Sequence, residues 1–329
     1  MLIGALDIGG TKTIAAVAEY LPGDDFMRGL NIIGKVTFPT GAPVCSFRVL
    51  ACECARIIAH ILEERSLDPS SLAAIGVSAP GMVDAEGGLI YSPVTGWRDV
   101  DIDDILRNVW NENHADAPAL NVRTDCDVNA CALAEVLASG NGDMLWVTVS
   151  TGIGGAYVTG GKVVTGYHSV AGEIGHTKVE YSEPRKCSCA QYGCAEAHAS
   201  GTAVGKIVAE TASSDRKWAA LFRQRGLLLD AEGCALLARE GECISNRIMN
   251  GAGDYLGRAL ANAVNLLDPA VVYIGGGMSR SFDLLVAPIR RRIESDALHI
   301  HRDISVLPTA LGYEASLMGA FALAAEKNI

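Results

Sequence analysis

The sequence predicts a mixed α/β chain folded as two packed lobes, and three observations carry that prediction. The chain has 329 residues, 49% of them hydrophobic, which exceeds what one ordinary core holds. Runs with strand character are interleaved with runs of helical periodicity. A strand, glycine-rich turn, strand unit occurs twice, which points to internal duplication. Chemistry is therefore expected in a cleft between the halves. No low-complexity linker separates them, so a hinge is expected at element ends.

Leu2–Ile8 reads as a strand, Gly9–Lys12 as a glycine-rich turn, Ile14–Tyr20 as a second strand and Asn31–Phe38 as a third. This is a meander, because no helix follows the glycines. Between Ser46 and Arg65, the residues Phe47, Leu50, Cys54, Ile57, Ile58, Ile61 and Leu62 fall on one helical face, which should pack on the sheet. Ala73–Ser78 is strand-like and ends at Ala79-Pro80-Gly81. Leu120–Thr124 is a short strand that ends before Asp125-Cys126-Asp127, and a helix is expected over Val128–Ser139. The second hairpin consists of Met144–Val149, the loop Ser150–Gly155 and Ala156–Thr159. Asp254–Leu267 is a helix stopped by Asp268-Pro269, Val271–Ile274 is a strand that runs into Gly275-Gly276-Gly277, and Ala315–Lys327 is a closing apolar helix tied back to the first lobe.

The formal net charge is −11 and the 27 Lys and Arg residues form no run, so the electrostatic footprint of a nucleic-acid binder is missing. An acidic phosphate-handling protein must neutralise its ligand locally, with backbone amides and metal. MLIGALDIGG lacks a basic leader region, and no apolar stretch reaches the roughly 18 residues of a membrane span. A soluble, cytoplasmic protein is expected. Of ten cysteines, Cys45, Cys52, Cys54, Cys126, Cys131, Cys234 and Cys243 are scattered through apolar or helical stretches, as suits reduced thiols. Cys187, Cys189 and Cys194 are clustered.

Three glycine-rich turns stand at strand ends: LDIGGTKT, VSTGIGGAYV and VYIGGGMS. Glycine lets backbone approach an anion and take positive φ, so consecutive N–H groups can face phosphate oxygens. A tight hairpin without ligand is the commoner explanation of a Gly-Gly turn when it is met alone. The Gly-x4-Gly-Lys-Ser/Thr loop is absent and the first glycines open no helix, which fits neither a Walker ATPase nor a Rossmann dehydrogenase. Asp7 ends the first strand, where it either holds the hydrated Mg²⁺ of ATP or satisfies turn amides. Asp127 lies between a strand and a helix. Alone it reads as a helix cap; at the mouth of a cleft it is placed to accept a hydroxyl proton during phosphoryl transfer.

In AGEIGHTKVEYSEPRKCSCAQYGCAEAHASG, His176 precedes a Cys-x-Cys-x4-Cys cluster. One imidazole and three thiolates suit a closed, tetrahedral, structural Zn²⁺ site of His176, Cys187, Cys189 and Cys194. The plainer reading is free thiols in a loop. A metal here would staple a segment poor in apolar residues and fix the neighbouring Glu173 and Glu196.

Taken in order, these segments resemble the ROK family (repressor, open reading frame, kinase) within the actin-like, hexokinase-type ATPase superfamily. ALDIGGTKTIAAV resembles the family's first phosphate loop, VSTGIGGAYVTG its second, and IGGGMS its adenosine-side glycine segment. AGEIGH followed by CSCAQYGCAEAHASG resembles its signature with zinc-binding residues. The likeness runs from Leu2 to the C-terminal helix. It implies an α/β, two-lobed actin-like (ribonuclease H-like, hexokinase-type) ATPase fold. The expected lobes are 1–123, completed by the closing helix over 310–329, and 124–309, with the zinc-binding loop.

The resemblance further implies an ATP-dependent carbohydrate kinase that uses Mg²⁺ and a structural Zn²⁺. Asp7, Gly9, Gly10, Thr11, Lys12, Thr151, Gly152, Gly154, Gly155, Gly275, Gly276 and Gly277 are the expected ATP and phosphate contacts. Asp127 is the expected catalytic base, acting on a C6 hydroxyl. Gly81, Cys126, Glu173, His176 and Glu196 are expected at the sugar beside Asp127, with His176 also ligating zinc through its other nitrogen. Trp97, at the end of SPVTGW, is expected in another wall of that pocket.

Two departures from the family pattern matter. Glu-Asn-Asp-Ala-Asn is replaced by Asp125-Cys126-Asp127-Val128-Asn129, so a thiol stands where a carboxamide usually meets sugar hydroxyls. Ala190 stands where Cys-x-Cys is usually followed by Gly. N-acetylmannosamine or glucose is placed ahead of allose, fructose or a cyclitol as acceptor. The rival readings are a sugar-sensing transcriptional regulator, for which neither a DNA-binding segment nor a basic patch is read here, and a catalytically dead sugar-binding protein. The expected partner is a small sugar, with no nucleic acid and no membrane, and the family likeness implies a homodimer.

Overall fold

Strand β1 (Leu2–Ile8) buries Ile3, Ala5, Leu6 and Ile8 almost completely, the near-continuous apolar run of a strand covered on both faces. A computed structural model describes residues 1–329 apart from 24, 43, 44, 116, 117 and 327–329. In chain order β1 is followed by β2 (Lys12–Tyr20), α1 (Phe26–Gly29), β3 (Leu30–Pro39), α2 (Phe47–Glu64) and β4 (Leu72–Ala79). A small meander, β5 (Met82–Val83), β6 (Gly88–Tyr91) and β7 (Arg98–Asp101), leads to α3 (Ile102–Asn113), β8 (Asn121–Cys126) and α4 (Asp127–Ser139). Then come β9 (Met144–Val149), β10 (Ile153–Thr159), β11 (Lys162–Val163), α5 (Ala195–Ala199), α6 (Gly201–Ser214), α7 (Arg216–Gln224) and α8 (Ala231–Arg239). The last elements are α9 (Cys243–Leu267), β12 (Val271–Gly275), α10 (Phe282–Asp296), β13 (Ser305–Pro308) and α11 (Ala315–Ala325).

Contacts divide the chain into two units, Met1–Gly142 with Gly160–Ala171 and Ala310–Ile329, and Asp143–Thr159 with Gly172–Thr309. Where the sequence places a boundary at 123/124, α4 falls in the first unit, because it packs on α11: a Cβ on Gly319 would stand 2.6 Å from the Ala130 carbonyl carbon. The sequence reading carries the closing helix to Lys327, which lies outside the described residues.

In the first unit the sheet order is β3-β2-β1-β4-β8. β1 is antiparallel to β2 and parallel to β4, which is parallel to β8. The face of α2 expected from its periodicity is buried, Leu50, Cys54, Ile58 and Leu62 included, each large apolar side chain contributing about 1.5–3 kcal/mol by burial. α11 lies directly on β4 at Gly76, where any Cβ would collide with the Ala320 carbonyl oxygen.

In the second unit the strand run β10-β9-β12-β13 repeats that pattern: β9 is antiparallel to β10 and parallel to β12, which is parallel to β13. The duplication read from the glycine hairpins thus has a topological counterpart. α9 begins at Cys243, well before the expected Asp254, with Glu242 capping it through the Ile244 and Ser245 amides. Its interior Gly253 and Gly257 admit α10 at close range; a Cβ on Gly257 would stand 2.7 Å from Arg292 Cβ. Among the described residues no helix is long and apolar enough to cross a membrane.

Candidate active site

In the first unit, Gly9 closes the β1–β2 turn by donating its N–H to the Lys12 carbonyl at 2.9 Å. Thr40 clasps the same turn, giving its Oγ1 proton to the Gly9 carbonyl at 2.7 Å and its N–H to the Thr11 carbonyl. Gly10 has no room for a side chain because Val94 of the SPVTGW loop lies against it. Lys12, expected in the turn, is the first residue of β2.

Asp7 is half-buried at the end of β1. Ser316 of α11 donates to its Oδ1 at 2.8 Å, and Ser78 of β4 lies 2.8 Å from Ser316, hydroxyl to hydroxyl. Burial holds the Asp7 carboxyl above its ordinary value, against the Ser316 hydrogen bond and the Lys12 charge. A divalent cation nearby would return such a carboxyl to its ionised form, so Asp7 fits the charge chemistry of Mg²⁺ with ATP. Sequence reasoning missed Ser316 and Ser78, which come to Asp7 only through the fold.

At the end of β8 the chain turns into α4 with Cys126, in extended conformation, at the cap position and Asp127 as the first helical residue. The Cys126 side chain makes no cap bond; it packs against the apolar cluster of this unit, and burial pushes the thiol up. Asp127 Oδ1 accepts the Val128 N–H at 3.0 Å, which orients the carboxylate at the helix N-terminus, where the macrodipole suits an anion. Asp125 Oδ1 accepts from Cys126 N and Asn129 Nδ2, and burial raises its carboxyl. Gly81 sits at φ +129, and a Cβ there would stand 2.8 Å from Ser92 Cα, which explains the glycine. Trp97 is buried, its indole N–H given to the Cys45 carbonyl at 3.0 Å and its ring edge-on to Phe47. It acts as an anchor of its loop within this unit.

In the second unit the β9–β10 turn is only Ser150, Thr151 and Gly152, closed by Ser150 N–H to the Gly152 carbonyl at 2.9 Å. Gly154 and Gly155, expected in a loop, are strand residues paired with Thr148 and Val147. Gly155 has a packing reason of its own: a Cβ would stand 3.0 Å from the Gly172 carbonyl oxygen. Gly275 ends β12, where a Cβ would stand 2.5 Å from Trp146 Cζ2, and Gly276 takes φ +80 to begin the turn at Gly277–Ser281.

The ligand atoms of His176, Cys187, Cys189 and Cys194 all lie within 4.8 Å of one another. Cys187 Sγ stands 3.6 Å from His176 Nδ1, and Cys189 Sγ 3.7 Å from Cys194 Sγ. Tetrahedral bonds of about 2.3 Å to sulfur place ligand atoms roughly 3.8 Å apart, so the four residues fit Zn²⁺. Lys178, unforeseen in the sequence, donates to Cys194 Sγ at 3.0 Å. Burial pushes the Cys187 thiol up to about 11, while the Gln191 N–H lowers that of Cys189. His176 Nε2, on the other side of the ring, lies 3.7 Å from Glu173 Oε2.

Glu196, the second residue of α5, reaches back to the β9–β10 turn. Its Oε2 accepts the Ile153 N–H at 3.1 Å and its Oε1 the Ser188 hydroxyl at 2.6 Å. Ser188 carries no sequence signal of its own, being the variable residue of Cys-x-Cys. One unit thus carries Asp7, the first glycine turn and Asp127 at strand ends of a single sheet, and in the other Glu196 joins the second glycine turn to the cluster of His176, Cys187, Cys189 and Cys194.

Residues 50–327 match the model of the ROK family. The chain belongs to the ROK family. Its relatives within ROK include a glucokinase from Halalkalibacterium halodurans, 34% identical over 76% of this chain and 75% of that one. A kanosamine kinase from Amycolatopsis mediterranei is 30% identical over 97% of this chain and 94% of its own length. Among solved structures, a ROK glucokinase from Streptomyces griseus in complex with glucose and AMPPNP superposes with a TM-score of 0.75, at 26% identity over 98% of this chain and 99% of that one. The two-lobed actin-like fold implied by the sequence is the fold of these ROK proteins.

Proposed function

We propose that this ROK protein, an ATP-dependent sugar kinase, transfers the γ-phosphoryl group of ATP to the C6 hydroxyl of a hexose or N-acetylhexosamine, with N-acetylmannosamine or glucose as the acceptor. The observation that carries the reading is Asp127, a carboxylate oriented by its own helix N-terminus just after β8, in the sheet whose strand β1 carries Asp7. Relatives named for glucose and kanosamine phosphorylation support a hexose-type acceptor, and the run VSTGIGG with AGEIGHT supports N-acetylmannosamine.

As the acceptor oxygen attacks the γ-phosphorus in line, its proton passes to the Asp127 carboxylate, the new P–O bond forms, and the β–γ bridging bond breaks to release ADP. The turn amides of Gly10 and Thr11 in the first hairpin and of Thr151 and Gly152 in the second are the donors offered to charge that spreads over the phosphoryl oxygens. Asp7 would hold Mg²⁺, which would supply positive charge against the phosphates of ATP. His176, Cys187, Cys189 and Cys194 would hold Zn²⁺, which would supply rigidity to the loop that presents Glu173 and Glu196 to sugar hydroxyls. The Cys126 thiol gives the pocket an apolar wall where a carboxamide would offer hydrogen bonds. A coupled ADP-release assay over hexoses, N-acetylhexosamines and cyclitols tests the reading. Turnover with glucose or N-acetylmannosamine is expected, and turnover confined to a cyclitol, or with no sugar at all, overturns the acceptor assignment.

A further inference from the structure

Glu196 connects two structures that are separate in the sequence. Its Oε2 takes the Ile153 N–H, the amide that opens β10, and the space beside it is so tight that a Cβ on Gly152 would stand 2.5 Å from the same oxygen. Its Oε1 takes the hydroxyl of Ser188 at 2.6 Å, and the Cys187 sulfur lies 3.5 Å from that oxygen. Ser188 sits between the metal ligands Cys187 and Cys189, so the backbone that carries its hydroxyl is held on both sides by the cluster. A carboxylate offers about four acceptor positions. Three groups of this chain, the Ile153 amide, the Ser188 hydroxyl and the Cys187 sulfur, already stand against it, which leaves room for an acceptor hydroxyl in one orientation.

We propose that Ser188 is a positioning residue: it aims Glu196, and through Glu196 the metal loop sets the place of the β9–β10 turn amide. The hydroxyl-to-carboxylate bond is charge-assisted and short, the kind that fixes a side chain rather than merely contacting it. Without it, Glu196 is free to rotate about its χ angles, the Ile153 amide loses a partner, and the acceptor meets a carboxylate in several orientations. The effect on the acceptor rests on the kinase reading; the effect on the turn does not.

Both arms are tested with full-length Ser188→Ala and Ser188→Thr. In Ser188→Ala, hydrogen exchange of the peptide over residues 150–158 should speed up about tenfold, while elemental analysis still finds the zinc content of the parent protein. Calorimetric titration with whichever of glucose and N-acetylmannosamine the parent turns over should show a Kd raised about tenfold, with kcat changed far less than KM. Ser188→Thr, which keeps the hydroxyl, should restore both. Unchanged exchange in Ser188→Ala overturns the proposal whether or not any sugar binds, and so does loss of zinc in step with the change, which would make Ser188 a part of the metal loop only. Faster exchange with unaltered sugar affinity would overturn its role at the acceptor. A parent protein that turns over no sugar refutes the kinase reading and leaves the exchange arm to decide on Ser188.

Discussion

The two glycine hairpins share a topology and solve one problem differently. In β1–β2 the pair next to the last is Asp7 with Ile14; in β9–β10 it is Thr148 with Gly154. The first hairpin therefore carries its own carboxylate, built into the strand and held from behind by Ser316 and Ser78. The second has none at that place and imports one, Glu196, from a helix beyond the metal loop. A carboxylate in a sheet needs only a hydroxyl behind it, whereas one that arrives from a loop needs that loop to be rigid. The unit that lacks the built-in acid is the one that carries the cluster of His176, Cys187, Cys189 and Cys194.

The sharpest way to break this comparison is to disable the proposed zinc site. Structural zinc in small sites contributes an apparent 10–16 kcal/mol or so in peptides, so Cys194→Ser should show the largest effect of all. A melting temperature lower by roughly 10 °C or more and loss of acceptor binding are expected, with exchange rising in the second unit and little changed over β1–β2. Equal loosening of both hairpins would show that the metal loop does not serve the second alone.

Next in size is Asp127→Asn, which leaves both hairpins intact and removes the proton acceptor. kcat should fall about 10²- to 10⁴-fold with sugar affinity by calorimetry largely kept. A near-normal kcat would take the base away from Asp127.

A third test concerns Asp103, buried in the first turn of α3, whose Oδ1 accepts from Thr124 of β8 at 2.6 Å. Burial lifts its carboxyl from 3.8 to about 7. The native state thus keeps the proton where the unfolded chain has lost it, so stability falls as pH rises from 3.8 to about 7 and is level above. Asp103→Asn keeps the acceptor and removes the titration. Urea unfolding at pH 8 should find the variant more stable by about 1–3 kcal/mol, with the difference vanishing near pH 4; a parallel offset at both values would refute the cause.

The smallest effect is expected from Ser316→Ala. Removing one neutral donor from Asp7 costs about 1–2 kcal/mol, read as a several-fold higher KM for MgATP with the acceptor KM unmoved. A change in the acceptor KM instead would blur the division of labour between the hairpins.

Much of this was legible in the sequence because it is local. The apolar faces of β1, β4, α2 and β12 follow from spacing, and the ligand set His176, Cys187, Cys189, Cys194 from a short motif. Gly154 and Gly155 were misplaced into a loop because glycine signals a turn and a close packing contact alike; only the register with Thr148 and Val147 separates the two. The early part of α9 was hidden for a similar reason, its glycines being demanded by α10. Lys178, Ser188, Ser78 and Ser316 were invisible, since a hydroxyl or an amine acquires meaning from the partner that the fold brings to it.

The seat of α11 on β4 bears on how the chain acquires its structure. Ser316 and its partner Asp7 are separated by 309 positions, and Gly76 is shaped to receive a helix that a ribosome delivers more than 200 residues after β4. While synthesis proceeds, β1 and β4 have the α2 side of their sheet available for covering and the other bare. Such non-local closure is slow and leaves apolar surface and strand edges exposed to other chains. The second unit, whose elements are nearly contiguous from Gly172 to Thr309, can consolidate earlier, so the nascent protein carries an unfinished half that invites chaperone binding until α11 arrives.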